Sequence, residues 1–465
     1  MGIVESGSLP CAGRGRENGE KNFKKKLHRV GNILTNNSVF LNYTNKNARE
    51  IAVGTKNQTT ISSMNTKKIN RRILLSGAVA FAGVASASAQ DNAPMFKVGS
   101  VDVRPGVTYE FEYNDNIFLS HRSVGKIEDY IHHIKPGITL GAGDYSARNE
   151  NYFTAGYNAD IQLFQDNSGA NATDHNANIA IGGNLGRTKL SLGQTLVSAS
   201  DADTANLAAL GRLKRRVWET TAGAVYNLSD KSDFELELLS RTSDYDNAAA
   251  FDTWKGQGLA WWNYKMTPKI EAAFGGGVGY DQVDGTATTH GPNAVYEQIL
   301  GRLRWAATEK VSFNGNAGLE LRQIQEVGVG DKAFAIFGAG VNWQATEQTS
   351  SGVNAQRGVS PGNTSQNQFS VDTTVSGNVK HSFTSRIDAG LDAGYTLSDF
   401  SRIIVTAATP REDQYWYIKP SVNVKLFERA SAAAYYQYRR NDSDLAANGN
   451  DFTNHQLGLS LTYSF

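Results

Sequence analysis

The fold is decided by the end of the chain, where residues 455–465 have the sequence HQLGLSLTYSF. Apolar side chains occupy the odd positions from Leu457 to Phe465, and polar or small ones occupy the even positions between them. Because successive side chains of a β-strand point to opposite faces, this segment has one apolar face and one polar face. The stretch from Phe452 to Phe465 is long enough to cross a bilayer as a tilted strand, which takes about 9–11 residues. For one strand alone, the edge of a soluble sandwich is the alternative.

The same alternation recurs through most of the chain. The clear cases are Ile270–Asp281, Val311–Arg322, Phe369–Phe383, Ile387–Leu397 and Trp416–Leu426. It is weaker around Trp261 and Trp262 and in the Gly-rich stretch from Thr349 to Gly362. A repeating unit of one strand and its turn, roughly 20 residues long, predicts about 18 strands, within a range of about 16–18. The recurrence favours a single closed antiparallel barrel over a soluble sandwich.

The connections between the predicted strands alternate in length. Short turns are predicted at 147–150, 186–187, 229–231, 267–269, 308–310, 346–348, 384–386 and 428–430. Longer polar connections fall between them, at 199–213, 281–293, 400–413 and 441–451. Outer-membrane barrels have short periplasmic turns and longer extracellular loops. The pattern therefore predicts an all-β transmembrane barrel whose terminal Phe465 lies on the periplasmic side.

Composition agrees with a barrel and excludes other classes. The mean hydropathy of −0.41 argues against a helical membrane protein, whereas a barrel exposes only alternate residues to lipid. The first 72 residues hold 14 Lys/Arg and 4 Asp/Glu, which leaves 32 basic and 41 acidic residues for the rest of the chain. This acidic remainder gives no support for nucleic-acid binding. The one cysteine, Cys11, falls in a segment expected to be absent from the mature protein, so we expect no disulfide.

The N-terminal part of the chain predicts export. Residues 1–63 are polar and without period, which indicates a disordered extension, and we interpret it as a misassigned start. Residues 64–89 have a basic beginning, an apolar run from Ile73 to Val84 and small residues up to Ala89. That order is typical of a signal peptide cleaved before Gln90, and the apolar run is too short for a membrane anchor. Residues 90–465 are then the barrel.

Charged residues on the polar faces of the strands are the candidates for the lining of the lumen. They are Glu235, Glu237, Glu271, Arg302, Arg304, Glu320, Arg322, Asp388, Asp392, Lys425 and Arg440. Charges inside a barrel are hydrated and set ion or solute preference. The alternative is that they pair across neighbouring strands and only stabilise the wall. Barrels of about 16–18 strands are wide enough for an aqueous channel, which favours a pore over a solid plug.

Candidate metal and catalytic motifs give weak signals. His132 and His133 are adjacent in a predicted strand and point to opposite faces, so they do not chelate one ion together. Asn114-Asp115-Asn116 offers oxygen ligands but lacks the Gly and Glu of an EF-hand loop, which favours a turn. Neither an H-E-x-x-H sequence nor a P-loop is present. We expect no catalytic residue, no cofactor and no metal ligand set.

Two sequence elements go beyond a generic barrel. Tyr113-Asn114-Asp115-Asn116-Ile117-Phe118 follows the first predicted strand, and a Pro-Gly element recurs in Val103–Val107 and Ile134–Ile138. With a closing strand that ends on an aromatic residue, these elements resemble the putative β-barrel porin 2 family of outer-membrane proteins.

The resemblance rests on the motif residues Tyr113, Asp115, Asn116 and Phe118. It also rests on Tyr463 and Phe465, the expected barrel-assembly signal at the end of the closing strand. Asn114 stands where the family often has Asp. The resemblance implies an outer-membrane barrel, which in some members is associated with exopolysaccharide production and export. It brings no catalytic residue with it.

Three functional hypotheses follow. The first is a passive channel in the outer membrane of a Gram-negative bacterium for hydrophilic solutes or secreted exopolysaccharide. The second is a structural, docking or adhesin barrel whose lumen is blocked by loops such as Ala199–Leu213, and the third is an outer-membrane hydrolase with an Asp/His/Ser site. The expected partners are outer-membrane lipid and lipopolysaccharide, the barrel-assembly machinery and, for export, periplasmic polysaccharide-export components, with no nucleic acid.

Overall fold

The computed structural model describes residues 96–201, 212–246, 250–284, 293–325, 330–362, 368–402, 411–444 and 451–465. The predicted N-terminal extension, the signal peptide with its cleavage site at Ala89, and most of the Ala199–Leu213 connection lie outside these residues. No helix in the described ranges reaches the length and apolarity that crossing a membrane requires.

The described part of the chain is almost entirely β-strand, with one short 3-10 turn at Ser168–Ala170. The strands are β1 (Phe96–Val98), β2 (Val101–Asn114), β3 (Asp129–Gly143), β4 (Tyr152–Phe164), β5 (Ala172–Leu185), β6 (Thr188–Ala199), β7 (Arg215–Asn227), β8 (Ser232–Tyr245), β9 (Thr253–Thr267), β10 (Ile270–Val283), β11 (Ala294–Trp305), β12 (Val311–Ile324), β13 (Lys332–Gln344), β14 (Thr349–Pro361), β15 (Gln368–Ser382), β16 (Ile387–Arg402), β17 (Arg411–Lys425), β18 (Ala430–Ser443) and β19 (Phe452–Ser464). The two segments in which the alternation is weak, around Trp261 and from Thr349, form strands β9 and β14.

The strands form one closed ring. Each strand from β2 to β18 pairs antiparallel with the next, and β19 pairs with β2 from Gln456↔Asn114 to Ser464↔Gly106. The three-residue β1 only extends β2 as a small hairpin. The barrel therefore has 18 strands, which confirms the predicted fold and strand number. Every strand from β2 to β19 therefore has a neighbour on both sides, as hydrocarbon requires of a membrane-spanning sheet.

Connections at the two ends of the barrel differ as the sequence predicts. At one end, Gly186-Arg187 joins β5 to β6, with Gly186 at a φ of +63° that a two-residue hairpin favours. At the other end, residues 115–128 join β2 to β3. Phe465 lies at the short-turn end, where its backbone N–H donates to Pro105 O at 3.1 Å. We call these the short-turn end and the long-connection end.

A hydroxyl group stabilises most of the short turns. In the turn after β11, Thr308 Oγ1 accepts the backbone N–H groups of Lys310 at 3.1 Å and Val311 at 2.9 Å. The same pair of bonds forms at Ser229, Thr267, Thr346 and Thr384. Ser and Thr side chains favour turns because they satisfy backbone donors in this way.

Apolar side chains are divided between the outer surface and small clusters inside. Leu457, Leu459 and Leu461 are each half-exposed on one face of β19, whereas Asn454 on the opposite face is buried. The same division holds around the ring, so the outer face is an apolar belt made of alternate residues. Four buried apolar clusters lie near the long-connection ends of the strands, and a fifth, around Leu259 and Trp261, lies nearer the middle of the wall.

Glycines on the inner face make room for aromatic rings on the neighbouring strand. Gly275, Gly279 and Gly458 stand directly opposite Trp261, Tyr296 and Tyr435, respectively, in the strand register. A Cβ atom added at Gly279 would lie 2.1 Å from Tyr296 Cζ. The ring occupies the space that any larger residue needs, which fixes the register of the two strands.

We predict that Gly279→Ala destabilises the barrel by about 1–3 kcal/mol, because the new methyl group displaces the Tyr296 ring. The midpoint of the heat-induced gel-mobility shift measures the effect. Gly358→Ala is the matched control, since nothing lies within 4 Å of a Cβ at that strand position. In a Tyr296→Ala background the penalty should disappear, and equal penalties in both backgrounds would contradict the ring-clash explanation.

Candidate functional site: the barrel lumen

Side-chain bonds between strands that are not adjacent identify the inner face of the wall. Arg302 on β11 bonds to Glu235 and Glu237 on β8, across β9 and β10. Tyr435 on β18 bonds to Glu112 on β2, across β19. Side chains two or three strands apart bond directly only on the concave side of a curved sheet, so these residues point into the lumen.

The structure puts ten of the predicted lumen candidates on this inner face. They are Glu235, Glu237, Glu271, Arg302, Arg304, Glu320, Arg322, Asp388, Asp392 and Lys425, by their alternation and register. Their effect on permeation remains a prediction.

Arg440 lies elsewhere. It shares the outer face of β18 with the exposed Tyr436 and pairs with Asp442, which also binds Arg122. At this strand end the outer positions are polar, so alternation alone does not separate the faces.

The first charge cluster, on β8 to β11, centres on Arg302. Its guanidinium bonds to Glu235, to Glu237 at 3.1 Å and to Asn263 Oδ1 at 2.8 Å, and it lies 4.2 Å from the centre of the Trp261 ring. Nearby, Arg304 pairs with Glu271 at 2.5 Å. Three glutamates therefore stand beside two arginines here, and we expect this part of the wall to favour cations.

The second charge cluster, on β10 to β12, is almost completely buried. Arg322 is 2% exposed and bonds to Asp281 at 2.6 Å and to Glu320 at 2.8 Å, while its guanidinium lies 4.7 Å from the centre of the Tyr296 ring. The pair with Asp281 joins β12 to β10, which are not adjacent, whereas Glu320 lies two residues before Arg322 on β12 itself. Removing Arg322 or an acidic partner would leave an uncompensated buried charge. The cluster therefore stabilises the wall.

A neutral part of the lumen was not singled out from the sequence. Asn314, Asn316, Asn342, Asn354 and Asn378 share the inner face of β12 to β15. Several stand beside a glycine of the neighbouring strand, as Asn316 does at Gly338. The signal was available as alternating Asn and Gly, for example Asn314-Gly315-Asn316. These amides donate and accept hydrogen bonds without adding charge.

The long-connection end of the β14–β15 hairpin turns into the lumen. Towards the short-turn end of this hairpin, alternate positions carry exposed apolar residues. Val359, Phe369 and Val371 continue the same alternate positions, yet their side chains are only 2–5% exposed. They pack against the inner-face residues Ala294 and Ile324, and the ring centres of Phe369 and Phe334 are 5.4 Å apart. The alternation predicts an outward direction for Phe369 and Val371, and the structure differs because the hairpin leaves the wall.

The strand register shows where the hairpin departs. Pairing of β13 with β14 ends at Phe337↔Arg357, although β13 begins at Lys332 and β14 continues to Pro361. The sequence Gly358–Gly362, which runs from β14 to the residue after it, matches the pattern G-x-S-x-G. Here Ser360 pairs with Ser370 of β15, which is not the strand–turn–helix context of a hydrolase nucleophile.

The predicted family motif ties the barrel closed at the β19–β2 seam. The fully buried Asn116 donates to Thr453 O at 3.1 Å, and its Oδ1 accepts Ser120 N–H at 2.8 Å. Asp115 Oδ1 accepts the backbone N–H of His455 at 2.7 Å. Asn114 Oδ1 accepts Asn116 N–H, which is the turn expected from the sequence.

The other motif residues hold the segment that follows β2. Tyr113 donates to Glu128 at 2.6 Å, and Phe118 packs against the cluster of Ile117, Ile131 and Phe164 on the inner wall. Leu119 packs against Tyr415 and Phe452. Residues 117–119 therefore also cover inner-face positions at the mouth.

The terminal residues proposed as an assembly signal lie at the short-turn end. The rings of Tyr463 and Phe465 are 5.1 Å apart and about half-exposed on the outer face. Their role in assembly remains a prediction.

Residues 317–465 match the model of the family described as "Putative beta-barrel porin 2". This confirms, over that segment, the family that the sequence resembles; the motif at Tyr113–Phe118 lies before it. No curated protein matches the chain significantly.

Solved structures that match the chain include proteins of two bacteria. OpdO of Pseudomonas aeruginosa is 12% identical, with 79% of this chain and 97% of that chain covered and a TM-score of 0.40. OccAB3 of Acinetobacter baumannii is 9% identical, with 78% and 99% covered and a TM-score of 0.42. OccAB4 of the same species is 12% identical, with 78% and 98% covered and a TM-score of 0.41. At this level the similarity says nothing about a substrate.

We predict that Arg302→Met destabilises the barrel by about 3–5 kcal/mol, because Glu235 and Glu237 lose their buried counter-charge. Reversal potentials in a KCl gradient should shift towards stronger cation preference. Arg440→Met is the matched control, since its exposed pair with Asp442 contributes only about 0–1 kcal/mol. Equal behaviour of the two variants would contradict the assignment of faces.

We also predict that Phe369→Ala combined with Val371→Ala raises the single-channel conductance, because the inward part of the hairpin loses its apolar contacts. Val353→Ala combined with Val379→Ala is the control on the exposed face of the same hairpin. Planar-bilayer recordings compare the pairs. The same conductance in both double variants would show that the hairpin does not limit the pore.

Proposed function

We propose that this chain, whose residues 317–465 match a porin family, is an outer-membrane channel that passes hydrophilic solutes. The observation that carries the proposal is the sorting of side chains in a closed ring of 18 strands, with an apolar outer belt and a lumen of charges and amides. Barrels of this strand number are wide enough for an aqueous path. The host is then a Gram-negative bacterium, and residues 64–89 act as the signal peptide.

Within this proposal, the more specific substrate is a secreted polysaccharide. The neutral amides of β12 to β15 suit the hydroxyl groups of a sugar chain, because amides both donate and accept hydrogen bonds. The family resemblance points the same way. The partners are then outer-membrane lipid and lipopolysaccharide, the barrel-assembly machinery and periplasmic polysaccharide-export components.

A plugged docking or adhesin barrel is the second candidate. It is favoured by the two inward elements at the mouth, residues 117–119 and the end of the β14–β15 hairpin. In that case the lumen would be sealed, and partners would bind the ends of the barrel.

Single-channel recording separates these candidates. The protein comprising residues 90–465 is refolded in detergent, checked by its heat-induced gel shift and added to a planar bilayer. We expect stepwise conductance, because a polar lumen of this width holds water and ions. Block by neutral oligosaccharides but not by monosaccharides of the same total concentration would support a polysaccharide cargo. Folded protein that inserts without conducting would overturn the channel proposal in favour of the plugged barrel.

A further inference from the structure

A cluster of acidic residues and one histidine lies on the inner face near the β19–β2 seam. Glu110 and Glu112 come from β2, and His133 comes from the neighbouring β3. One ligand atom from each of the three residues lies within 4.8 Å of the other two. The register brings them together, since Glu110 pairs directly with His133.

His133 has an unpartnered nitrogen that points at this cluster. Its side chain is only 9% exposed, and its Nδ1 is 2.9 Å from Asp160 Oδ1 on β4. Its Nε2 is buried without any hydrogen bond and lies 3.9 Å from Glu112 Oε2, too far for one. With the Nδ1 proton donated to Asp160, the Nε2 lone pair faces a carboxylate, which is unfavourable unless a cation lies between them.

We propose that His133, Glu112 and Glu110 bind a divalent transition-metal ion such as Zn²⁺, with Asp160 orienting the imidazole. A metal-bound histidine typically donates its second ring N–H to a carboxylate, which is the arrangement of His133 and Asp160. Imidazole nitrogen and carboxylate oxygen are Zn²⁺ ligands at about 2.0–2.2 Å, so two ligands of a tetrahedral ion are about 3.4 Å apart. The observed 3.9 Å needs a shift of about half an ångström.

The surroundings favour a cation. Glu110, Glu112 and Asp160 carry negative charge here, and Asp174 and Asp392 lie close enough to add to it. The basic groups that face them are Lys135, Lys419 and Arg212, so acidic groups are in excess around the Nε2 lone pair. A proton on His133 is the competing cation, and the experiment distinguishes the two.

The remaining polar groups orient the carboxylates and leave a path of entry. The Tyr435 hydroxyl donates to Glu112 Oε2 at 2.8 Å, and Gln456 donates to Glu112 Oε1 at 3.1 Å. Lys135 donates to Glu110 Oε2 at 2.9 Å. The side chains of Asp160 and Lys135 are 27% and 30% exposed, so the cluster opens to the lumen. With three protein ligands, the fourth position of a tetrahedral ion is open to water or to an anionic group of a solute.

Isothermal titration calorimetry tests the site on the detergent-extracted protein after treatment with a chelator. Titration with ZnCl₂ should give one saturable site in the wild type, and His133→Ala should lose it. Asp160→Asn should weaken the dissociation constant about 10–100-fold, as expected for a residue that orients a ligand. His132→Ala is the matched control, because the neighbouring histidine points to the outer face and contacts Tyr109. Its binding should equal that of the wild type.

Two results would overturn the proposal. One is the absence of a saturable site in folded wild-type protein, which would leave protonated His133 as the cation. The other is unchanged binding in His133→Ala. Should that variant fail to fold, X-ray absorption of the Zn²⁺-loaded wild type decides, since the proposed site has one imidazole and oxygen ligands.

The binding test does not depend on the channel proposal, and only the effect on permeation rests on it. In a conducting wild-type channel, saturating Zn²⁺ should shift the reversal potential towards anions, and His133→Ala should not respond. A silent barrel that still binds Zn²⁺ would overturn the channel alone. A conducting barrel without the site would overturn the metal proposal alone.

Discussion

The structure depends on the closure of its backbone hydrogen bonds, which is completed when β19 pairs with β2. In hydrocarbon every unpaired N–H or C=O group costs several kcal/mol, so an open sheet of these strands is not a stable membrane structure. The buried side chains of Asn116 and Asp115 tie the segment after the first strand to the last strand. This explains why a polar motif follows the first strand of the barrel: it stabilises the seam that is formed last along the sequence.

The curvature of the closed wall then determines what its side chains do. On the concave face, charges from strands that are not adjacent meet, and most pair with one another, as Arg322 does with Asp281. Wall stabilisation and lumen chemistry therefore use the same residues. The amides of β12 to β15 and the seam cluster around His133 are different, because neither is a simple set of ion pairs. These two parts of the wall have polar groups that a solute or an ion can bind.

The mouth of the barrel departs from the regular pattern. Along β14 and β15 the odd-numbered positions hold apolar residues on both sides of Arg357 and Thr373, yet Val353 and Val375 face outwards while Val359 and Phe369 pack inside. Alternation records only that one face of a strand is apolar. Whether that face meets lipid or the inner wall depends on whether the strand stays in the ring, and pairing with β13 stops at Arg357. Arg440 is a similar case, because the end of its strand is polar on both faces and alternation does not show which face it occupies.

The sequence by itself determined the strands, their number, the turns and the polar and apolar faces. These are local properties, set by a period of two and by turn residues such as Thr308 and Gly186. It also predicted that His132 and His133 face opposite ways, as they do. Only the tertiary structure decided which residues meet. Arg302 meets Glu235, and Asp160, His133 and Glu112 align, because the register of three or four strands and the curvature of the closed wall bring them together. No local pattern encodes such contacts, since they require the whole ring to close.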